Sequence, residues 1–149
     1  GLGDVYKRQV HEESDAIVFG ENGLMDHCMA LRNNIVIPKI GWNIVSVLKM
    51  CNGLNDAGYK VYLISVDLDR QKATQRAYNR FITTSRYVPL SLVFDNYGNQ
   101  STLNYFKIKQ KDSHVFEGFS QISTDVAIGQ PAILVEEHNM EELKNVEWR

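Results

Sequence analysis

NIVIPKIGWNIVSVLKMCNGLNDAGYKVYLISV, residues 34–66, is the stretch on which the fold turns. Asn34, Ile35, Val36 and Ile37 read as a short buried strand, ended by Pro38, which has no N–H to give to a ladder. Asn43 has the side chain of a helix N-cap. Behind it Ile44, Val47, Leu48, Cys51 and Leu54 fall on one helical face. Gly58 suits the left-handed residue that ends such a helix. Residues 60–66, KVYLISV, are rich in β-branched and aromatic side chains and suit a central strand of a parallel sheet. Strand, helix and strand in this order make one right-handed βαβ unit, which predicts an α/β fold: a parallel sheet flanked by helices.

Upstream, residues 12–31 carry a helical pattern of apolar positions (Ile17, Leu24, Cys28, Leu31) interrupted by Gly20 and Gly23. Each glycine costs about 1 kcal/mol relative to alanine inside a helix, so a break between them is expected. Asn33 and Asn34 close the segment. The nine residues GLGDVYKRQ at 1–9 resemble translated read-through of a sequencing adaptor. On that reading they lie outside the domain. Residues 10–149 are then a partial, N-terminally truncated domain, and the end at Glu147, Trp148 and Arg149 is abrupt.

Downstream, Asp69 is a candidate N-cap for a helix to about Thr83, and residues 101–111 form a further helical segment. Turn signals fall at residues 96–99 and 111–113. Residues 132–135 suit a strand, and the acidic run at 136–144 suits a short helix. There is no internal repeat.

Sixteen basic against 18 acidic residues leave a net charge of −2. No sequence-wide basic field is present to hold nucleic acid or an anionic membrane surface, so any anion site must be local. Cys28 and Cys51 sit in apolar helical patterns and read as small buried hydrophobes. His11, His27, His114 and His138 are scattered, and no spacing suits a zinc site. No membrane span or signal peptide is visible, and a cytoplasmic location is expected.

The densest chemical signal is Arg76-Ala77-Tyr78-Asn79-Arg80 followed by Ser85-Arg86-Tyr87-Val88-Pro89. Arg76 and Arg80 are i, i+4 neighbours on one helical face, beside Ala73 and Ala77. Arg86 follows just beyond the helix. Three guanidiniums converging near the carboxyl end of a parallel strand match bidentate recognition of phosphate oxygens, the arrangement that stabilises charge during phosphoryl transfer. The same spacing equally describes a solvated basic face paired with Asp67, Asp69 or surface acids.

These residues carry a resemblance. The run GYKVYLISVDLDRQKATQRAYNRFITTSRYVP resembles the zeta-toxin family of P-loop kinases. Residues 73–80 fit the helix motif A-x-x-R-A-x-x-R, and residues 85–89 fit G-R-x-V-P with Ser85 in place of glycine. Residues 10–14, VHEES, are similar to a run that precedes a helix in many members, and residues 34–37 with Gly41 are similar to the strand leading into the substrate turn. The similarity covers residues 10–89 and thins afterwards.

The resemblance implies an ATP- and Mg²⁺-dependent kinase of P-loop NTPase fold. Its acceptor would be UDP-N-acetylglucosamine or another small-molecule hydroxyl, and an antitoxin protein is a possible partner. It implies catalytic roles for Arg76, Arg80 and Arg86 at the transferred phosphate, with Arg76 and Arg86 also contacting the nucleotide. It places Ser14, Lys39 and Trp42 at the substrate. Two departures stand out. GxxxxGK[ST] occurs nowhere in the chain, so these residues alone should be inactive. Pro38 and Trp42 stand where the family carries an acid and an arginine in the substrate turn. Trp42 could stack on a base or sugar ring and Lys39 could pair with an acidic substrate, or the two are a packing aromatic and a surface lysine. Glu12 and Glu13 read more simply as acids near a helix N-terminus, and Asp69 as a helix cap. A degenerate, non-enzymatic kinase relative that binds an antitoxin is the alternative from another class.

Overall fold

Gly20 and Gly23 break the N-terminal helix where expected. The computed structural model describes residues 2–147; the side chains of residues 2–8, Val10, His11 and Asn96 lie outside that description, as do Trp148 and Arg149. The chain divides into two compact units, one reaching to Pro38 and the other spanning Lys39–Glu147.

The first unit holds α1 (Leu2–Phe19) and α2 (Leu24–Ala30). Between them Gly20 presses on the carbonyl of Ala16 so closely that a Cβ could not be accommodated. The helix α1 begins well before Glu12, so Glu12, Glu13 and Ser14 lie in its interior. The expectation of a helix start with acids near its N-terminus is therefore corrected. Arg32, at φ 56°, takes the left-handed position that ends α2, and Asn33 N–H donates to the Cys28 carbonyl at 3.0 Å. The strand expected at residues 34–37 does not form; Val36 is 75% exposed. β-Branched residues favour a pleated, half-buried surface but do not make a strand without a neighbour to pair with.

In the second unit Asn43 caps α3 (Ile44–Asp56) by accepting from the Ser46 N–H at 3.0 Å. Gly58, at φ 86°, ends it: Gly58 N–H donates to Asn55 and Tyr59 N–H to Leu54. Then come β1 (Tyr62–Asp67), α4 (Arg70–Thr84), a six-residue π-helix (Leu92–Tyr97) and α5 (Gln100–Lys111). A single 3₁₀ turn (Ser113–Val115), β2 (Gly118–Ser123), β3 (Ile133–His138) and α6 (Glu141–Lys144) complete it. Asp69 caps α4, its Oδ1 accepting from Gln71 N–H at 2.9 Å and Lys72 N–H at 3.2 Å.

The fold is mixed α/β with an open sheet of order β1-β2-β3. β1 and β2 are parallel, whereas β3 runs antiparallel to β2, so the expected all-parallel sheet is corrected to a mixed one. β1 is an edge strand and not the central one, because β2 takes the centre and no strand at residues 34–37 flanks the other side. The expected βαβ unit over residues 34–66 is absent for the same reason. The parallel crossover instead runs from β1 through α4, the π-helix and α5 to β2.

One sheet face is covered. Phe119 and Leu63 pair in register and meet Tyr105, Ile108, Cys51, Val115 and Phe116, with Ile44, Val47 and Leu48 of α3 around them. The helical stripe predicted for α3 is thus its core face, and burial pushes the Cys51 thiol pKa up. The opposite face carries Ile64 and the cross-strand row Val66, Ile122 and Leu134; Ile64, Val66 and Leu134 are exposed.

Candidate functional site

The register of β1 decides where the site lies. Asp67 ends the strand, Asp69 caps the next helix, and α4 therefore leaves from the carboxyl end of a parallel pair. Ligands of open α/β sheets gather at such strand ends. On α4, Ala77 is buried and turns the neighbouring Arg76 and Arg80 toward the border of the packed stripe. The two arginines line one open concavity of about 320 Å³ together with Leu68, Ala73, Ala77 and Val93. Arg76 Nη2 donates to the Val126 carbonyl at 2.9 Å, leaving its other N–H groups for a ligand. Among the described residues no carboxylate lies within ion-pair distance of either arginine.

The acids offered as alternative partners are engaged elsewhere. Asp67 Oδ1 accepts from Ser65 Oγ at 2.7 Å and Thr102 Oγ1 at 2.9 Å, while Oδ2 accepts from Gln121 Nε2. Asp125 pairs with Lys72 at 2.6 Å. Arg70 lies over the Phe94 ring, 4.5 Å from its centroid.

Arg86 is exposed just after the left-handed Ser85, in a run without regular secondary structure, and is not among the residues lining the concavity. That run folds back on α4 through the Tyr87 ring, edge-on to Phe81 at 5.6 Å. Two of the three expected guanidiniums therefore share a site. Ser14 is exposed on α1 of the other unit. Lys39 and Trp42 are exposed on the turn before α3, with the Trp42 ring 6.4 Å from that of Tyr97 and tilted by 46°.

Several contributors carry no sequence motif. Val93 and Tyr97 come from the π-helix, and the Val126 carbonyl comes from the loop after β2. Asn104 Nδ2 donates to the Gly41 and Trp42 carbonyls at 2.9 and 2.8 Å. Residues 101–111 read as a helical segment, but no residue type or spacing in it marks Asn104. On the covered sheet face Glu136 accepts from Lys109 Nζ at 2.6 Å and from Tyr105 Oη at 3.2 Å. The Lys109 hydrogen bond holds the Glu136 pKa below the ordinary carboxylate value. Burial first, and the Glu136 charge second, push the Tyr105 phenol above its usual range.

Among the described residues no group of His, Cys, Asp and Glu has the arrangement to hold a metal ion, and no helix is long and apolar enough to cross a membrane. Compared with models of protein families, with curated proteins and with solved structures, the chain matches none of them.

Proposed function

We propose that the chain carries the phosphate-clamping part of a phosphotransferase of the zeta-toxin type, with the P-loop kinase fold that this implies. In such an enzyme the γ-phosphoryl group of ATP passes to the hydroxyl of a small molecule, UDP-N-acetylglucosamine or a related acceptor. One observation carries the reading: Arg76 and Arg80 open onto the same concavity at the carboxyl end of a parallel strand, with no carboxylate paired to either among the described residues. Two guanidiniums in that position would offset the charge on the equatorial oxygens of a phosphoryl group in flight. Arg86 would join them only if the run after α4 closes over the site.

The phosphate portion of ATP fits this pair. Mg²⁺ does not fit the described residues, since the Asp67 carboxylate is taken by three donors and Asp69 is a cap. With no GxxxxGK[ST] in the sequence, the chain should bind polyphosphate without turning over ATP. Calorimetric titration with tripolyphosphate at low salt tests this. Arg76→Ala and Arg80→Ala should each weaken binding by roughly tenfold, the effect of losing a charge-assisted hydrogen bond. Arg76→Lys should not restore it, because an ammonium lacks the planar fork. Unchanged affinity in the double alanine variant would sink the proposal.

A second reading is a non-catalytic module that binds a protein partner such as an antitoxin. The cross-strand apolar row of Val66, Ile122 and Leu134, with Val66 and Leu134 exposed, favours it. Partner binding that is lost in Leu134→Asp, together with no tripolyphosphate binding by the unaltered chain, would favour it over the kinase reading.

A further inference from the structure

Arg76 and Arg80 share a concavity but are held differently. Arg76 Nη2 donates to the Val126 carbonyl at 2.9 Å, whereas the Arg80 side chain has no hydrogen-bond or ion-pair partner among the described residues. Nη2 carries one hydrogen on each of the two donating edges of a guanidinium. The bond to Val126 therefore occupies one edge and leaves the other whole for a bidentate anion.

A carbonyl positions a side chain only if it is itself fixed. The turn at residues 124–126 leaves the end of β2 and is pinned from two sides. Thr124 N–H and Oγ1 both donate to the main-chain carbonyl of Asp67, at the end of β1, at 2.9 and 3.2 Å. Val126 N–H donates to the Thr124 carbonyl at 2.8 Å, which closes a three-residue turn. Asp125 N–H donates to Ser123 Oγ at 3.2 Å, and the Asp125 carboxylate pairs with Lys72 Nζ at 2.6 Å. Lys72 stands one helical turn before Arg76 on α4. The helix thus grips the turn with one side chain, and the turn grips the next.

We propose that Thr124, Asp125 and Val126 are a positioning element of the anion site. The Val126 carbonyl holds Arg76 with one donating edge free, and Thr124 and Asp125 keep that carbonyl in place. Arg76 is then the fixed arm of the clamp, and Arg80 is the arm that closes on the ligand. This rests on the phosphate reading of the arginine pair. An arginine free to rotate must be immobilised when an anion binds, and one already held need not be. Charge alone and positioning predict opposite signs for Asp125. Its negative charge, one residue from the Arg76 contact, repels an anion, whereas its grip on the turn favours one.

Two measurements on the whole chain test this. Without ligand, ¹⁵N relaxation of the arginine Nε–Hε groups should show Arg76 more ordered than Arg80. Asp125→Ala and Thr124→Val should each bring Arg76 to the mobility of Arg80. Both residues lie outside the buried cluster, so these variants should fold. Titration with tripolyphosphate at low salt should show binding weakened about fivefold by either variant, the effect of having to immobilise one long side chain on binding. Asp125→Asn removes the same charge but keeps an oxygen for Lys72, and should weaken binding less than Asp125→Ala. In an Arg76→Ala background neither Asp125→Ala nor Thr124→Val should weaken binding further. Tighter binding in Asp125→Ala, unchanged binding in Thr124→Val, or an Arg76 as mobile as Arg80 in the unaltered chain overturns the proposal. Failure of the unaltered chain to bind tripolyphosphate counts against the phosphate reading instead, and the ligand-free relaxation still decides whether the turn positions Arg76.

Discussion

Ser85 shows how much a single position says. It stands where the resembling motif has glycine, and the structure puts it at φ 56° and ψ 13°, the left-handed end of α4. A left-handed conformation costs a residue with Cβ roughly 1 kcal/mol. Ser85→Gly should therefore raise stability by about that amount, read as a higher urea midpoint with unchanged m-value. The Tyr105, Glu136 and Lys109 group makes a second prediction. The Glu136 pKa is lowered on folding, so its contribution is present above the unfolded carboxylate value, 4.5, and is lost as pH falls through the folded value. The Tyr105 pKa is raised, so stability falls as pH climbs past the ordinary phenol value of 10.0. Glu136→Gln should flatten the acid limb of the melting temperature against pH, and Tyr105→Phe the alkaline limb. Arg76 and Arg80 were legible as a pair because helical spacing is local. That Arg76 donates to Val126 was not, since the partner lies far along the chain.

Elements with strong end signals were readable. Asn43, Gly58 and Asp69 each cap or stop the helix expected of them, because capping is chemistry between neighbours in sequence. β2 was invisible: Gly118, Ser120, Gln121 and Ser123 interrupt any apolar run, and the strand is recognisable only by what it pairs with on both sides. Its first residue explains part of the disguise. A Cβ on Gly118 would press on the backbone of Asn139 and would lie 2.8 Å from the His138 carbonyl, where β3 turns toward α6. Gly118→Ala should thus destabilise the sheet by about 1–3 kcal/mol, an overpacking cost against backbone that cannot give way. Thermal unfolding by circular dichroism measures it; a neutral result would mean that β3 shifts freely. The π-helix was equally hidden, since only the register of its hydrogen bonds separates it from an α-helix.

For the whole molecule, every member of the buried cluster lies within Lys39–Glu147. A chain of residues 39–147 alone should keep its secondary structure and unfold cooperatively, and a flat melting curve would show that the first unit is needed. The bare face of the sheet is the other feature at this scale, because both faces of a parallel pair are normally covered. The sequence by itself determined what depends on near neighbours: the α/β class, the caps, the core stripe of α3 and the arginine pair of α4. Tertiary structure alone decided the strand order, the loss of the expected strand at residues 34–37, and which side chains meet at Trp42 and at Arg76. Strand pairing and side-chain contacts between distant segments are chosen by competition for partners. Local preference enters that competition but does not settle it.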